Sequence, residues 1–183
     1  MKAVICTKYG PPEVLTVTQV EKPVPKDTEI LVAIKATAVN SGDVRMRALA
    51  VEGFLKIVMR FVLGFTKPRK PILGTVFSGI VEQVGSKVQH FSVGDAVYGI
   101  TGFKFGTYAE YIAVSENSVV SQKPDNASFE EAAAILFGGQ TAIYFLQKAN
   151  IAARATPSVL IYGATGSVGA AAVQIAKHYN ARV

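Results

Sequence analysis

The stretch SVLIYGATGSVG at residues 158–169 joins an apolar run to a glycine-rich turn, and this junction decides how the C-terminal part of the chain folds. The apolar run 158–162 predicts a buried strand, and a helical pattern follows the turn. Glycines permit a tight turn and a close approach of the backbone, and the N-terminus of a helix offers free N–H groups to an anion. The stretch therefore predicts a strand, an anion-binding turn and a helix. The alternative is a turn that only packs the helix on the strand.

The helix after the turn has one apolar face. Its apolar residues fall at offsets 0, 3, 4, 7, 8 and 11, namely Val168, Ala171, Ala172, Ile175, Ala176 and Tyr179. This period is typical of a helix with one buried side. Asn180 can end the helix in a left-handed conformation, and residues 181–183 predict the start of another strand.

The spacing G-x-x-G-x-x-G, formed by Gly163, Gly166 and Gly169, is close to a dinucleotide-binding fingerprint, but Ala164 stands where the first glycine of G-x-G-x-x-G would fall. The group that recognises the adenosine ribose is expected about 20 residues further on, which lies past Val183. We therefore expect an unfinished nucleotide-binding domain. It is either truncated or completed by another chain.

Residues 1 to about 122 read as short strands separated by Gly, Pro and Asp turns, and this pattern predicts a barrel or sandwich. The pattern stops at 123–126, which predicts a domain boundary near residue 124. Ser128 to Glu131 then reads as a capping box that starts a helix. A break at Gly138-Gly139 separates it from a second predicted helix, 141–148. The predicted strands are Val4–Cys6, Leu15–Val20, Ile30–Val39, Gly79–Val84, Ala96–Ile100, Tyr108–Val114 and Val119–Ser121.

The composition is that of a globular chain with a sizeable core, since 50% of its 183 residues are hydrophobic and 17% are charged. Cys6 is the only cysteine, which excludes an intramolecular disulfide, and no His/Cys cluster supplies a structural zinc site. The N-terminus lacks the apolar core of a secretion signal, and no apolar run approaches the length of a membrane span. These observations predict a cytoplasmic protein.

The stretch ILGTVFSGIVEQVG at 72–85, the segments VGDAVYG at 93–99 and GTYAEY at 106–111, and the glycine turn together resemble the medium-chain dehydrogenase/reductase superfamily. The resemblance covers nearly the whole chain in the family's order. It implies a β-rich GroES-like barrel domain at 1–124, lacking its usual C-terminal return, followed by the truncated beginning of an α/β doubly wound Rossmann domain at 125–183.

The resemblance also narrows the branch. Zinc alcohol dehydrogenases of the family place a cysteine where Asn40 stands and a His-Glu pair where Thr75 and Val76 stand, because a catalytic zinc needs converging ligands. The four-cysteine zinc lobe after Asp95 is absent as well. The chain therefore resembles the zinc-free quinone oxidoreductase branch, and we expect no metal site.

The resemblance suggests several site residues. It places Asn40 and Thr141 beside the nicotinamide of the cofactor; the alternatives are an Asx-type turn at Asn40 and a helix N-cap at Thr141. Arg45 stands where some relatives carry a tyrosine, and it is a weak catalytic candidate beside Asn40 that could stabilise a carbonyl oxygen. A solvated surface charge is the alternative for Arg45. The remaining cofactor-binding candidates form the turn, Gly163, Ala164, Thr165, Gly166, Ser167, Val168 and Gly169.

The net charge of +6 is concentrated in residues 45–70, which hold seven Lys and Arg but only one acidic residue, Glu52. Within this segment residues 54–65 are largely apolar. By resemblance they form a wall or lid of the substrate cleft; ordinary packing and an amphipathic helix on a membrane surface are the alternatives. No nucleic-acid reader motif accompanies the charge, so we expect no nucleic-acid partner.

The resemblance implies that the protein is an NADPH-dependent, metal-free reductase that transfers hydride to a quinone or an α,β-unsaturated carbonyl compound. We expect the fragment of 183 residues to be inactive alone. NADPH rather than NADH follows from the family only. We expect the full-length protein to be a homodimer with no integral membrane part. The alternative is a non-catalytic interaction module that uses segment 45–70 on a membrane surface or a macromolecule.

Overall fold

The computed structural model describes the backbone of residues 1–183 and the side chains of all of them except Lys56. The chain divides into two compact units, Met1–Ala133 and Ala134–Val183. The domain boundary expected near residue 124 stays a prediction.

The first unit is built on antiparallel sheets. Strands β1 (Lys2–Cys6) and β2 (Leu15–Gln19) pair with each other. Five further strands form a second sheet in the order β6-β3-β4-β5-β7. They are β3 (Glu29–Ala36), β4 (Val76–Val84), β5 (Ala96–Ile100), β6 (Tyr111–Ser115) and β7 (Val119–Gln122). All seven strands predicted in this region are confirmed, although β3 ends three residues before Val39.

The core of this unit lies on one face of the five-stranded sheet. It consists of apolar side chains with almost no exposed surface, contributed by alternate positions of the strands: Ile30, Val32, Phe77, Val81, Val97, Ile112 and Val114. Two helices, α1 (Ser41–Ala48) and α2 (Gly53–Leu63), come between β3 and β4. The sequence does not predict α1, because its eight residues carry no apolar face.

Helix α3 (Phe129–Lys148) begins in the first unit and ends in the second. Its predicted capping box is confirmed: the Ser128 amide donates to the Glu131 carboxylate at 2.8 Å, and the Glu131 amide donates to Ser128 Oγ at 3.1 Å. The predicted break at Gly138-Gly139 is wrong, since the helix continues through both glycines. A glycine costs a helix about 1 kcal/mol relative to alanine. At Gly138 the close contact with Ser167, described below, offsets this cost.

The second unit packs the end of α3 against α4 (Ser167–His178). Its core includes Ala142 and Leu146 from α3 together with Ala172 and Ala176 from α4. The predicted apolar face of α4 is confirmed except at Tyr179, which follows the end of the helix and is exposed. Asn180 follows the helix with φ +56°, the predicted left-handed termination.

The strand predicted at 158–162 is confirmed only at its first residue. Ser158 forms a parallel bridge with Arg182, supported by a 2.8 Å bond from the Val159 amide to the Arg182 carbonyl. A strand needs a repeating ladder, and within the described chain the pairing goes no further. Leu160 and Tyr162 consequently stand fully exposed.

Candidate functional site

The glycine turn before α4 is shaped by two of its three glycines. Gly163 has φ +79°, a left-handed conformation that glycine adopts without strain. Its carbonyl accepts a bond from the Gly166 amide at 3.0 Å. Gly169 is buried beneath it, and a Cβ built there would lie 2.1 Å from the Gly163 oxygen. Only glycine at 169 lets the helix start this close to the turn.

The first turn of α4 presents free amides. Its N-cap is Gly166, which has no side chain to accept a bond, and the first helical bond runs from the Ala170 amide to the Gly166 carbonyl at 2.8 Å. Among the described residues the amides of Ser167, Val168 and Gly169 have no acceptor. Residues 163–167 are exposed. A helix N-terminus with unsatisfied amides and an open approach is suited to a phosphate group, so these residues fit the pyrophosphate of a dinucleotide.

Helix α3 supports the turn through Gly138. This glycine is buried, and a Cβ built on it would lie 2.4 Å from the carbonyl oxygen of Ser167, the first residue of α4. The absence of a side chain therefore lets α3 contact the turn directly. Sequence reasoning interpreted the glycine pair as a helix break and missed this contact; a glycine inside an otherwise strong helical pattern was the available signal.

Thr141 lies in the interior of α3, so the N-cap alternative is wrong. Its Oγ1 donates to the Phe137 carbonyl at 2.7 Å, four residues earlier in the same helix. This bond leaves the hydroxyl able to accept a further hydrogen bond. The position beside a nicotinamide stays a prediction.

Asn40 is the N-cap of α1, and its side chain makes three hydrogen bonds. Its Oδ1 accepts bonds from the amides of Gly42 at 2.8 Å and Asp43 at 3.2 Å. The Asp43 carboxylate accepts from the Asn40 amide at 3.0 Å, completing a capping box. On the other side, Asn40 Nδ2 donates to Thr75 Oγ1 at 3.1 Å. The Asx-type bond expected at Asn40 thus belongs to a helix cap, and two positions that carry zinc ligands in other branches hydrogen-bond to each other here.

Asp43 and Tyr108 form a buried polar pair that sequence reasoning missed. Asp43 is only 3% exposed. Within the described chain, neither its Oδ1 atom nor the Tyr108 hydroxyl has a hydrogen-bond partner. Burial raises the pKa of Asp43, opposed by the bond from the Asn40 amide. Burial and the nearby charge of Asp43 raise the pKa of Tyr108 as well. No sequence pattern joins residues 65 positions apart, so only the fold reveals this pair.

Arg45 also lies on α1, and its side chain is exposed. No group of three or more His, Cys, Asp or Glu side chains comes together among the described residues. Both histidines, His90 and His178, are exposed. Within the part of the chain that is described, no helix combines the length and the apolarity needed to cross a bilayer.

Comparison with known proteins identifies the family. Residues 26–125 match the alcohol dehydrogenase GroES-like domain. A 2-methylene-furan-3-one reductase of Solanum lycopersicum is 37% identical over 186 residues, covering 97% of this chain and 44% of that protein. A quinone oxidoreductase of Sus scrofa is 35% identical over 188 residues, covering 100% of this chain and 51% of that protein.

Solved structures of quinone oxidoreductases and similar proteins have the same fold over the length of this chain. The quinone oxidoreductase of Coxiella burnetii has a TM-score of 0.82 and 31% identity, over 99% of this chain and 54% of that one. A mycobacterial protein solved in complex with NADPH has a TM-score of 0.79 and 29% identity, over 100% of this chain and 52% of that one. The chain thus spans about half the length of the proteins it matches.

The chain belongs to the medium-chain dehydrogenase/reductase superfamily, in its quinone oxidoreductase-like branch. The expected fold class is confirmed: a β-rich GroES-like domain, whose sheet is a curled half-barrel, is followed by the start of an α/β Rossmann domain.

Proposed function

We propose that this chain is the substrate-binding domain and first cofactor-binding unit of an NADPH-dependent, metal-free reductase of quinones or α,β-unsaturated carbonyl compounds. The observation that carries the proposal is the open first turn of α4, where three amides have no acceptor among the described residues. The names of the relatives support the reaction class, since they include a quinone oxidoreductase and a 2-methylene-furan-3-one reductase.

The residues that would hold the cofactor are those of the turn. The amides of Ser167, Val168 and Gly169 would bind the pyrophosphate, and Gly163 and Gly169 would keep the turn tight enough for its approach. When bound, the nicotinamide supplies the hydride. Asn40 and Thr141 would orient its ring, by resemblance to the family, and Arg45 would stabilise negative charge on a substrate oxygen.

The proposal needs no metal. Asn40 and Thr75 offer an amide and a hydroxyl that already bond to each other at 3.1 Å, and neither is a preferred zinc ligand. A quinone or enone is already electrophilic, so its reduction requires positioning and hydrogen bonding rather than a Lewis acid. The proposal also includes a domain boundary near residue 124, a homodimeric full-length protein and a cytoplasmic location.

NADPH titration followed by the fluorescence of the nicotinamide tests the proposal. The informative variant is Gly166→Val. Gly166 has φ −78°, which any residue adopts, and a Cβ there meets only the Gly163 oxygen at 3.5 Å. The fold should therefore survive, while the branched side chain covers the free amides. We expect Gly166→Val to weaken NADPH binding by about tenfold or more, the loss of one to two charge-assisted hydrogen bonds.

The matched control is Gln174→Ala, on the exposed side of the same helix, where Gln174 bonds only to the Ala170 carbonyl. It should bind NADPH like the wild type. A second arm measures NADPH consumption by the full-length protein with menadione as acceptor, because the 183-residue fragment is expected to be inactive alone. If Gly166→Val binds NADPH as tightly as the wild type, the turn is a packing element and the proposal fails.

A further inference from the structure

Helix α2 carries an exposed apolar face that no described part of the chain covers. Six large apolar side chains, each 38–79% exposed, lie on it: Phe54, Leu55, Ile57, Val58, Phe61 and Val62. At 100° per residue they fall within one sector of roughly 160°. Met59 and Leu63, half-buried, lie on the opposite side. A contiguous apolar face of this kind marks an interaction surface.

The face continues past the end of the helix. The ring of Phe61 packs edge-to-face on Phe65, with centroids 4.8 Å apart, and Phe65 is itself half exposed. The helix has eleven residues. It is therefore about 16 Å long at 1.5 Å per residue, against a hydrocarbon core of about 30 Å. A segment of this length lies along a surface and does not cross a bilayer.

The positive charge of the chain is concentrated around this helix. Residues 45–70 hold seven Lys and Arg and one acidic residue, while the rest of the chain holds 12 basic and 12 acidic residues. The whole net charge of +6 therefore belongs to the segment that contains the apolar face.

Among the residues whose side chains are described, no ion pair involves a basic residue of this segment. The two ion pairs found among them, Lys22 with Glu82 and Lys87 with Asp27, lie outside the segment. The loop after α2 is anchored by a 2.9 Å bond from the Tyr9 hydroxyl to the Gly64 carbonyl, and by a 2.7 Å bond from the Arg69 amide to the Leu63 carbonyl. These bonds keep the exposed cations at 67, 69 and 70 beside the end of the helix.

The chemistry of this surface selects its partner. A second copy of the chain would bring the same positive segment against itself, which repulsion opposes. An anionic bilayer offers both complements together, acyl chains for the apolar face and negatively charged headgroups for the flanking cations. We infer that α2 is an interfacial helix that binds the surface of membranes containing anionic lipid. Phe65 and the basic residues up to Lys70, in the loop that follows the helix, belong to the same binding surface. The inference is independent of NADPH binding.

Vesicle co-sedimentation of the 183-residue chain tests the inference. We expect the chain to sediment with phosphatidylcholine vesicles that contain about one third phosphatidylserine, and at least about tenfold less with phosphatidylcholine alone. Raising NaCl from about 0.1 M to about 0.5 M should release most of it. Phe54→Ser with Phe61→Ser, and separately Arg60→Gln with Lys67→Gln, should each weaken binding by about tenfold or more.

Matched control variants distinguish binding through this surface from non-specific binding to vesicles. Val24 is 80% exposed outside the segment, so Val24→Ser should bind like the wild type. Lys26→Gln with Lys35→Gln removes the same net charge as the Arg60 and Lys67 pair, and it should leave binding unchanged within about twofold. Circular dichroism confirms that each variant is folded.

Three results would overturn the inference. The first is that the chain sediments equally with both lipid compositions, or that the Phe54 and Phe61 double variant sediments with anionic vesicles as well as the wild type does. The second is wild-type self-association by light scattering that this double variant abolishes, without vesicle binding. The third is binding to a single-stranded RNA homopolymer in place of vesicles.

Discussion

Two adjacent glycines of α3 should respond to alanine with opposite signs. Glycine to alanine inside a helix gains about 0.5–1 kcal/mol from propensity alone. At Gly139 nothing lies within 4 Å of the added methyl group, so Gly139→Ala should realise this gain. At Gly138 the methyl would lie 2.4 Å from the Ser167 oxygen and 2.7 Å from its carbonyl carbon. Both atoms are backbone, so relief requires α3 and α4 to separate.

The difference between the two variants isolates the cost of this contact, because the propensity gain is common to both. Overpacking of a tight contact costs about 1–3 kcal/mol, so Gly138→Ala should be less stable than Gly139→Ala by that amount. For a chain of this size the gap corresponds to about 2–12 °C in Tm. Urea and thermal unfolding followed by far-ultraviolet circular dichroism measure it.

The same pair tests how α3 supports the turn. Ser167 is the first residue of α4, so a displacement of Ser167 moves the free amides. Gly138→Ala should therefore bind NADPH more weakly, while Gly139→Ala binds like the wild type. The reasoning is refuted if Gly138→Ala is as stable as Gly139→Ala. A helix that truly broke at these glycines would instead give both variants the same sign.

Two further predictions concern the start of α1. Asn40→Ala removes a cap that accepts two amide bonds and should cost about 1–2 kcal/mol. Asn40→Asp keeps the accepting oxygen, and its second oxygen can accept from the Thr75 hydroxyl, so this variant should cost less; equal losses in urea unfolding would contradict the cap. Burial raises the pKa of Asp43 above its ordinary value of 3.8, so the folded state holds this proton more tightly than the unfolded state. Its contribution to stability is then fully present below about pH 4 and is lost as the pH rises through the folded pKa. Asp43→Asn does not titrate, so its Tm relative to the wild type should rise from pH 4 to pH 8, and a constant difference would exclude a raised pKa.

Much of the fold was predictable because local signals agree with tertiary structure. Strands β1 to β7 follow β-branched runs bounded by turn residues, the Ser128–Glu131 box starts α3, and the offsets along α4 identify its buried face. Each of these depends on residues within one turn or one pleat of each other. The resemblance to the family depends on glycine-containing segments that occur in the family's order along the chain, at 72–85, 93–99, 106–111 and 163–169.

The errors and omissions arise where distant segments meet. The glycine at position 138 of α3 fits closely against Ser167, 29 positions later. Asp43 and Tyr108, 65 positions apart, lie near each other, and the Asn40 side chain donates to Thr75, 35 positions later. The run 158–162 shows the converse, since its apolar sequence indicates a strand but its ladder stops at one bridge. Local patterns define elements, whereas pairing and burial require the complete set of neighbours.

The starts of the helices explain why the glycine turn is the anion-binding candidate of this chain. In α1 the Asn40 side chain accepts from the amides of Gly42 and Asp43, and in α3 the Ser128 hydroxyl accepts from the amide of Glu131. In α2 the N-cap Glu52 makes no capping bond but places a carboxylate at the positive end of the helix dipole. Among these four helices, only α4 has an N-cap residue, Gly166, without a side chain that could accept a hydrogen bond or carry a charge. Exchanging a capping residue for glycine costs the helix little, and it leaves the amides and the partial positive charge for a ligand.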